Sequence, residues 1–88
     1  MDPASKLAAV FELAERLAIE VRITGLGGDG GGLCGLPDRR ILFVDSDADI
    51  ASQADRSLSA LAQMPDLDNV FIVPELREAL RAARADDD

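Results

Sequence analysis

All seven glycines of this 88-residue chain fall between Gly25 and Gly35, and none occurs elsewhere. Glycine reaches positive φ and lets backbone approach backbone or ligand closely, at an entropic cost. A chain that avoids glycine everywhere else therefore has a local demand here, and regular structure must stop on either side of it. Upstream, Ile19, Val21 and Ile23 alternate with Glu20, Arg22 and Thr24, which reads as a strand with one buried face. Downstream, residues 33–36 form a short strand, Pro37-Asp38 is a turn signal, and residues 40–45 form a second strand, so the pair is a hairpin. The run Ile41-Leu42-Phe43-Val44 is apolar at every position, which predicts a central strand covered on both faces.

Helices are expected around this unit. Asp2-Pro3 suits a helix start, and Leu7, Val10, Phe11, Ala14, Leu17 and Ala18 recur at helical spacing, placing helix 1 at about residues 3–18. Ser46 and Asp49 have capping-box spacing ahead of a stripe of Ile50, Ala54, Leu58, Leu61 and Ala62, and Pro65 ends that helix. After the turn 66–69, Val70-Phe71-Ile72-Val73 reads as another buried strand. Pro74-Glu75 then opens a third helix with the stripe Leu76, Ala79, Leu80, Ala83 and with Arg77, Arg81 and Arg84 towards its negative end. The expected fold class is α/β, bordering on α+β. The order is α-β-β-β-α-β-α, with a small mixed sheet, one hairpin, one parallel β-α-β unit spanning residues 40–73, and three helices. Residues 1–85 make one domain, and residues 86–88 form an acidic disordered tail.

Composition narrows the function classes. Apolar residues make up 48% of the chain, so it should fold, but a domain of this size is marginal alone. Three modest helices covering two sheet faces leave work for a partner subunit, hence the expectation of a homodimer. One cysteine excludes an internal disulfide framework and points to a reducing cytoplasm. The N-terminus has no basic region before an apolar run, so no leader is expected, and no stretch is apolar for long enough to cross a bilayer. The net charge is −8. Residues 45–88 carry four basic against eleven acidic side chains, whereas residues 1–44 are nearly balanced. That asymmetry disfavours nucleic acid and membrane surfaces and suits either solubility or a basic protein partner.

The glycine segment also has candidate chemistry. Gly25-Leu26-Gly27-Gly28-Asp29-Gly30 has G-x-G-x-x-G spacing after a strand, but residues 31–37 cannot form the helix a dinucleotide site needs. A Walker-type loop is excluded because the only lysine is Lys6. What remains is a plain strand connection or an anion-binding nest built from Gly27, Gly28, Gly30, Gly31 and Gly32, with Cys34, Arg39 and Arg40 beside it and Arg22 nearby. Cys34 itself is either a small apolar filler or a reactive thiol serving a sensor. At the end of the apolar strand, Asp45, Asp47 and Asp49 alternate. The ligand reading makes Asp45 and Asp47 a magnesium site, and the bland one makes Ser46, Asp47 and Asp49 helix caps.

The stretch Arg40-Ile41-Leu42-Phe43-Val44-Asp45-Ser46-Asp47 resembles the first strand and acidic pocket of two-component receiver domains and the D-x-D start of haloacid-dehalogenase-type phosphotransferases. Both families place a lysine on a later strand, and here none follows. The succession of helix, strand, glycine-rich turn, hairpin and acidic helix is similar to the front of small zinc-metallopeptidase domains. Those domains carry H-E-x-x-H, and this chain has no histidine. Gly30-Gly31-Gly32-Leu33-Cys34, Val44-Asp45 and Val73-Pro74-Glu75-Leu76-Arg77-Glu78 together resemble small bacterial proteins of uncharacterised function, which implies a bacterial stand-alone domain. With no His, Trp or Tyr and one Lys, the usual acid–base and nucleophile constellations cannot be assembled. The expectation is a small acidic interaction or regulatory module without catalytic activity or a required cofactor. The alternatives are a module holding an anion or divalent metal between residues 25–35 and 45–49, and a Cys34 sensor.

Overall fold

A computed structural model describes residues 1–86. The elements are α1 (Pro3–Arg16), β1 (Ile19–Thr24), β2 (Gly32–Gly35), β3 (Arg40–Asp45), α2 (Ile50–Ala62), a 3-10 turn (Pro65–Asn69) and α3 (Pro74–Asp86). The fold is therefore a small α/β domain with three helices and a mixed three-stranded sheet.

The strand order is β1-β3-β2. β1 runs parallel to β3, with Val21 beside Leu42 and Ile23 beside Val44. β2 runs antiparallel to β3, with Leu33 beside Leu42 and Cys34 beside Ile41. The hairpin and the mixed sheet are as the sequence predicts, but the parallel pair is not. It joins β1 to β3, and the return between them is made by β2 rather than by a helix. Residues 70–73 form no strand. Ile72 is buried in the helical core, Phe71 and Val73 are exposed, and the Arg16 guanidinium donates to the Phe71 carbonyl at 3.1 Å. Ile72 turns fully inward and Val70 packs partly against the core, so the run drapes over α1 and α3 without a ladder.

The core explains why the sheet is one-sided. Val10, Leu13 and Ala14 of α1, Leu58, Leu61 and Ala62 of α2, and Leu76 and Leu80 of α3 form one cluster with Ile19, Leu42 and Val44. All three helices thus pack on one face, giving two layers. The other face carries Glu20, Arg22, Phe43 and Cys34, all exposed or half-exposed, with Ile41 and, at the strand end, Asp45 buried among them. β3 is central, as its apolar run implies, but only one of its faces is covered by helices.

Local signals set the helix ends. Asp2 caps α1 by accepting from the Ser5 N–H at 2.8 Å, with Pro3 following. α1 stops at Arg16, two residues before its expected end. Ala18 is exposed and adopts φ 58°, the left-handed turn that lets the chain reverse into β1. Asp49, not Ser46, caps α2 through the Ser52 N–H at 2.7 Å. The Ser46 N–H instead extends the sheet by bonding the Thr24 carbonyl at 3.0 Å. Ile50, assigned to the apolar stripe of α2, is 48% exposed, and Ser57 is buried in its stead. Asp86 is the last residue of α3; Asp87 and Asp88, where the sequence predicts a tail, lie outside the described residues.

Candidate functional site

The strand order dictates the glycine segment. β1 and β2 lie on opposite sides of β3, so residues 25–31 must cross over the carboxyl end of β3, a span of about 10 Å at two strand spacings. That path runs close to the β3 backbone. A Cβ on Gly31, which has φ +111°, would sit 3.2 Å from the Phe43 carbonyl oxygen, and one on Gly30 would sit 2.5 Å from the Leu26 Cβ. These two positions account physically for part of the glycine demand: one by conformation and close approach, the other by packing within the loop.

Asp45, the last residue of β3, points into the crossing. It is 2% exposed, and its carboxylate accepts four backbone N–H groups. Oδ1 takes those of Leu26 at 2.8 Å and Asp47 at 3.0 Å; Oδ2 takes those of Gly28 at 2.7 Å and Gly30 at 3.0 Å. Asp47 adds a fifth bond, accepting from the Gly27 N–H at 3.0 Å. From the other side, the Arg56 guanidinium of α2 donates to the carbonyls of Gly28 at 2.8 Å and Gly30 at 3.0 Å. The loop's polar backbone is thus gripped by carboxylates at its N–H groups and by a cation at its carbonyls.

Electrostatics follow from this geometry. Burial by itself raises the Asp45 carboxyl. The N–H groups of Leu26, Gly30, Asp47 and Gly28 together outweigh burial and hold it below the ordinary carboxylate range. Asp49 is lowered chiefly by the Ser52 N–H, with a contribution from the Arg56 charge, and Glu20 by its bond to Arg22.

Gly27, Gly28 and Gly30 supply loop N–H groups, as a nest requires, but the anion they hold is the chain's own Asp45 or Asp47. Gly31 lies over the end of β3, and Gly32 belongs to the ladder opposite Phe43. Cys34 is exposed on the uncovered sheet face opposite Ile41, four residues along β3 from Asp45. Arg39 and Arg40 stand at the opposite end of β3. Arg39 is near Glu20, and Arg40 donates to the Leu17 carbonyl at 2.8 Å and pairs with Asp66 at 3.3 Å. The arginine that does meet the loop is Arg56. Nothing in its sequence neighbourhood signals this, because the contact depends on how α2 lies against the crossing.

The arrangement is suited to holding a loop in one conformation. A carboxylate has about four lone-pair positions, and Asp45 has four N–H donors on it, so a cation there would have to displace loop backbone. Among the described residues no group of three or more potential metal-ligating side chains comes together. No described helix is long and apolar enough to cross a membrane. The chain matches no protein-family model, and neither a curated protein nor a solved structure is similar enough to match it.

Proposed function

We propose that this protein is a non-catalytic interaction module that works as a symmetric dimer joined through β1. The observation that carries the proposal is the edge itself. β1 pairs with β3 on one side only, and Ile23 at its end is 59% exposed. An open edge of this kind is a template for a further strand. Antiparallel pairing of two copies about Val21 sets Glu20 of each against Arg22 of the other and Ile19 against Ile23, so charge and apolar groups both match across the join. The two sheets become one of six strands, with the helices of both copies on one face of it.

The net charge of −8 supports a basic protein as the dimer's further partner. The exposed, unpaired Cys34 supports a reducing, cytoplasmic setting.

Light scattering after size exclusion tests the assembly. The expected mass is twice the 9.3 kDa of the chain. Arg22→Glu should yield monomer by setting like charges together, and the swap Glu20→Arg with Arg22→Glu should restore the dimer. A wild-type monomer at millimolar concentration refutes the proposal, as does a swap variant no more dimeric than the single one.

A further inference from the structure

The chain has nine lysines and arginines among seventeen acidic residues. Six of the nine have a partner: Lys6 with Asp55, Arg16 with the Phe71 carbonyl, Arg22 and Arg39 with Glu20, Arg40 with Asp66 and Leu17, and Arg56 with the loop carbonyls. Arg77, Arg81 and Arg84 have none among the described residues. All three line one cavity of about 340 Å³ between the end of α2, the turn at Pro65–Asn69 and α3.

Helix stability does not account for the cluster. Positions 77, 81 and 84 share one face of α3, and like charges at i, i+4 are mildly destabilising. The helix dipole favours Arg84 in the last turn, yet Arg77 stands near the positive end, where a cation is disfavoured. Nor, among the described residues, does any carboxylate form an ion pair with the three, although the chain has a surplus of acidic side chains. Below the arginines, Met64, Ile72 and Leu80 are at most 7% exposed and give the cavity an apolar floor. Asp68 and Gln63 stand on the lining as well.

We propose that this cavity binds a small amphipathic anion, a carboxylate or phosphate monoester carried on a short apolar body. The volume is in the lower part of the range of small-molecule sites. The apolar floor takes the body. Arg77, half-buried on the wall, and Arg81 and Arg84 beside it take the anionic head through charge-assisted hydrogen bonds. The Asp68 carboxylate disfavours ligands that carry a second anionic group and offers an acceptor to a hydroxyl or amino group on the ligand. This site is separate from the β1 edge and from the glycine crossing, so it stands or falls independently of the dimer.

Titration of the 15N-labelled protein with hexanoate, hexyl phosphate and hexanol tests it. Hexanoate or hexyl phosphate should shift the amides of residues 63–68 and 77–84 saturably at millimolar concentration, and the stronger of the two identifies the head group. Hexanol should bind at least about tenfold more weakly, since it lacks the charge the arginines recognise. Arg81→Gln, at an exposed position that leaves the fold intact, should weaken the anion by several-fold, and Arg77→Gln with Arg81→Gln by about tenfold or more. The proposal is overturned if neither anion gives saturable shifts in these segments, if hexanol binds as tightly as the anions, or if Arg81→Gln leaves anion binding unchanged.

Discussion

Asp45→Asn is the substitution whose outcome depends most on the geometry of the crossing. The amide has nearly the shape of the carboxylate, so packing around the 2%-exposed side chain is preserved. Its hydrogen bonding is not. The carboxylate accepts two N–H groups on each oxygen, at 2.7–3.0 Å. An asparagine has one accepting oxygen, so whichever way it flips, two donors keep a partner and two face an NH2 group. Either Leu26 and Asp47 are stranded, or Gly28 and Gly30 are. The two surviving bonds also lose their charge assistance. Because the loop is only partly buried, water can reach some stranded donors, which puts the effect at the low end for lost bonds to a charged acceptor. For a domain of this length the expected fall in melting temperature is on the order of 10 °C. Thermal unfolding followed by circular dichroism measures it, and amide exchange at residues 26, 28 and 30 should quicken ahead of the core. The matched control is Asp47→Asn. That residue is exposed and accepts the Gly27 N–H at 3.0 Å, so it should cost only a few degrees. Equal melting temperatures for wild type and Asp45→Asn, within about 2 °C, would refute the assignment of Asp45 as the organiser of the crossing.

Other outcomes follow from particular positions. Gly31→Ala forces an L side chain to φ +111° and sets its Cβ against the Phe43 carbonyl, so it should destabilise by about 1–3 kcal/mol in urea unfolding; no measurable change contradicts the close approach. Ala18→Gly relieves a left-handed residue at an exposed turn and should raise stability by up to about 1 kcal/mol by the same assay, whereas a loss would mean that the turn is built differently. Leu61→Ala empties a fully buried position where the three helices meet the sheet and should cost about 2–5 kcal/mol; a cost below about 1 kcal/mol would contradict its central place.

Much of the fold was legible because local signals were strong where burial was one-sided. Asp2-Pro3 and Pro37-Asp38 are local cap and turn signals, and the stripe Leu58, Leu61, Ala62 follows the period a core imposes, whereas the alternation in residues 19–24 marks a strand whose inward side chains are buried at Ile19 but exposed at Ile23. The misread segments are those where an apolar run did not reveal its partner. Residues 41–44 and 70–73 look alike in sequence, yet the first is the central strand and the second lies unpaired on the helices. In sequence both read as strands of a single β-α-β unit, because periodicity reports burial and not pairing. Ile41 illustrates the same point: it is buried, but flanked by Glu20 and Cys34 of the neighbouring strands and outside the helix-packed core cluster. The glycine demand was visible, and so were the alternating aspartates after β3. Their relation was not, since it depends on β2 and β1 lying on opposite sides of β3. Once that order is known, the loop has to pass Asp45, and donors and acceptor meet.

The central claim is that the glycine segment is a crossing built around the chain's own carboxylate. A carboxyl whose folded-state pKa is depressed contributes stability that is fully present above the unfolded value, about 3.9 for Asp, and is lost as pH falls through the lower folded value. The most direct measurement is the 13C shift of the Asp45 carboxyl followed through acid, together with the amide proton shifts of Leu26, Gly28, Gly30 and Asp47. The account predicts that all five signals move at one shared midpoint below the ordinary aspartate value. An Asp45 carboxyl that titrates at the ordinary value, with the four amides unmoved as it does so, would contradict it.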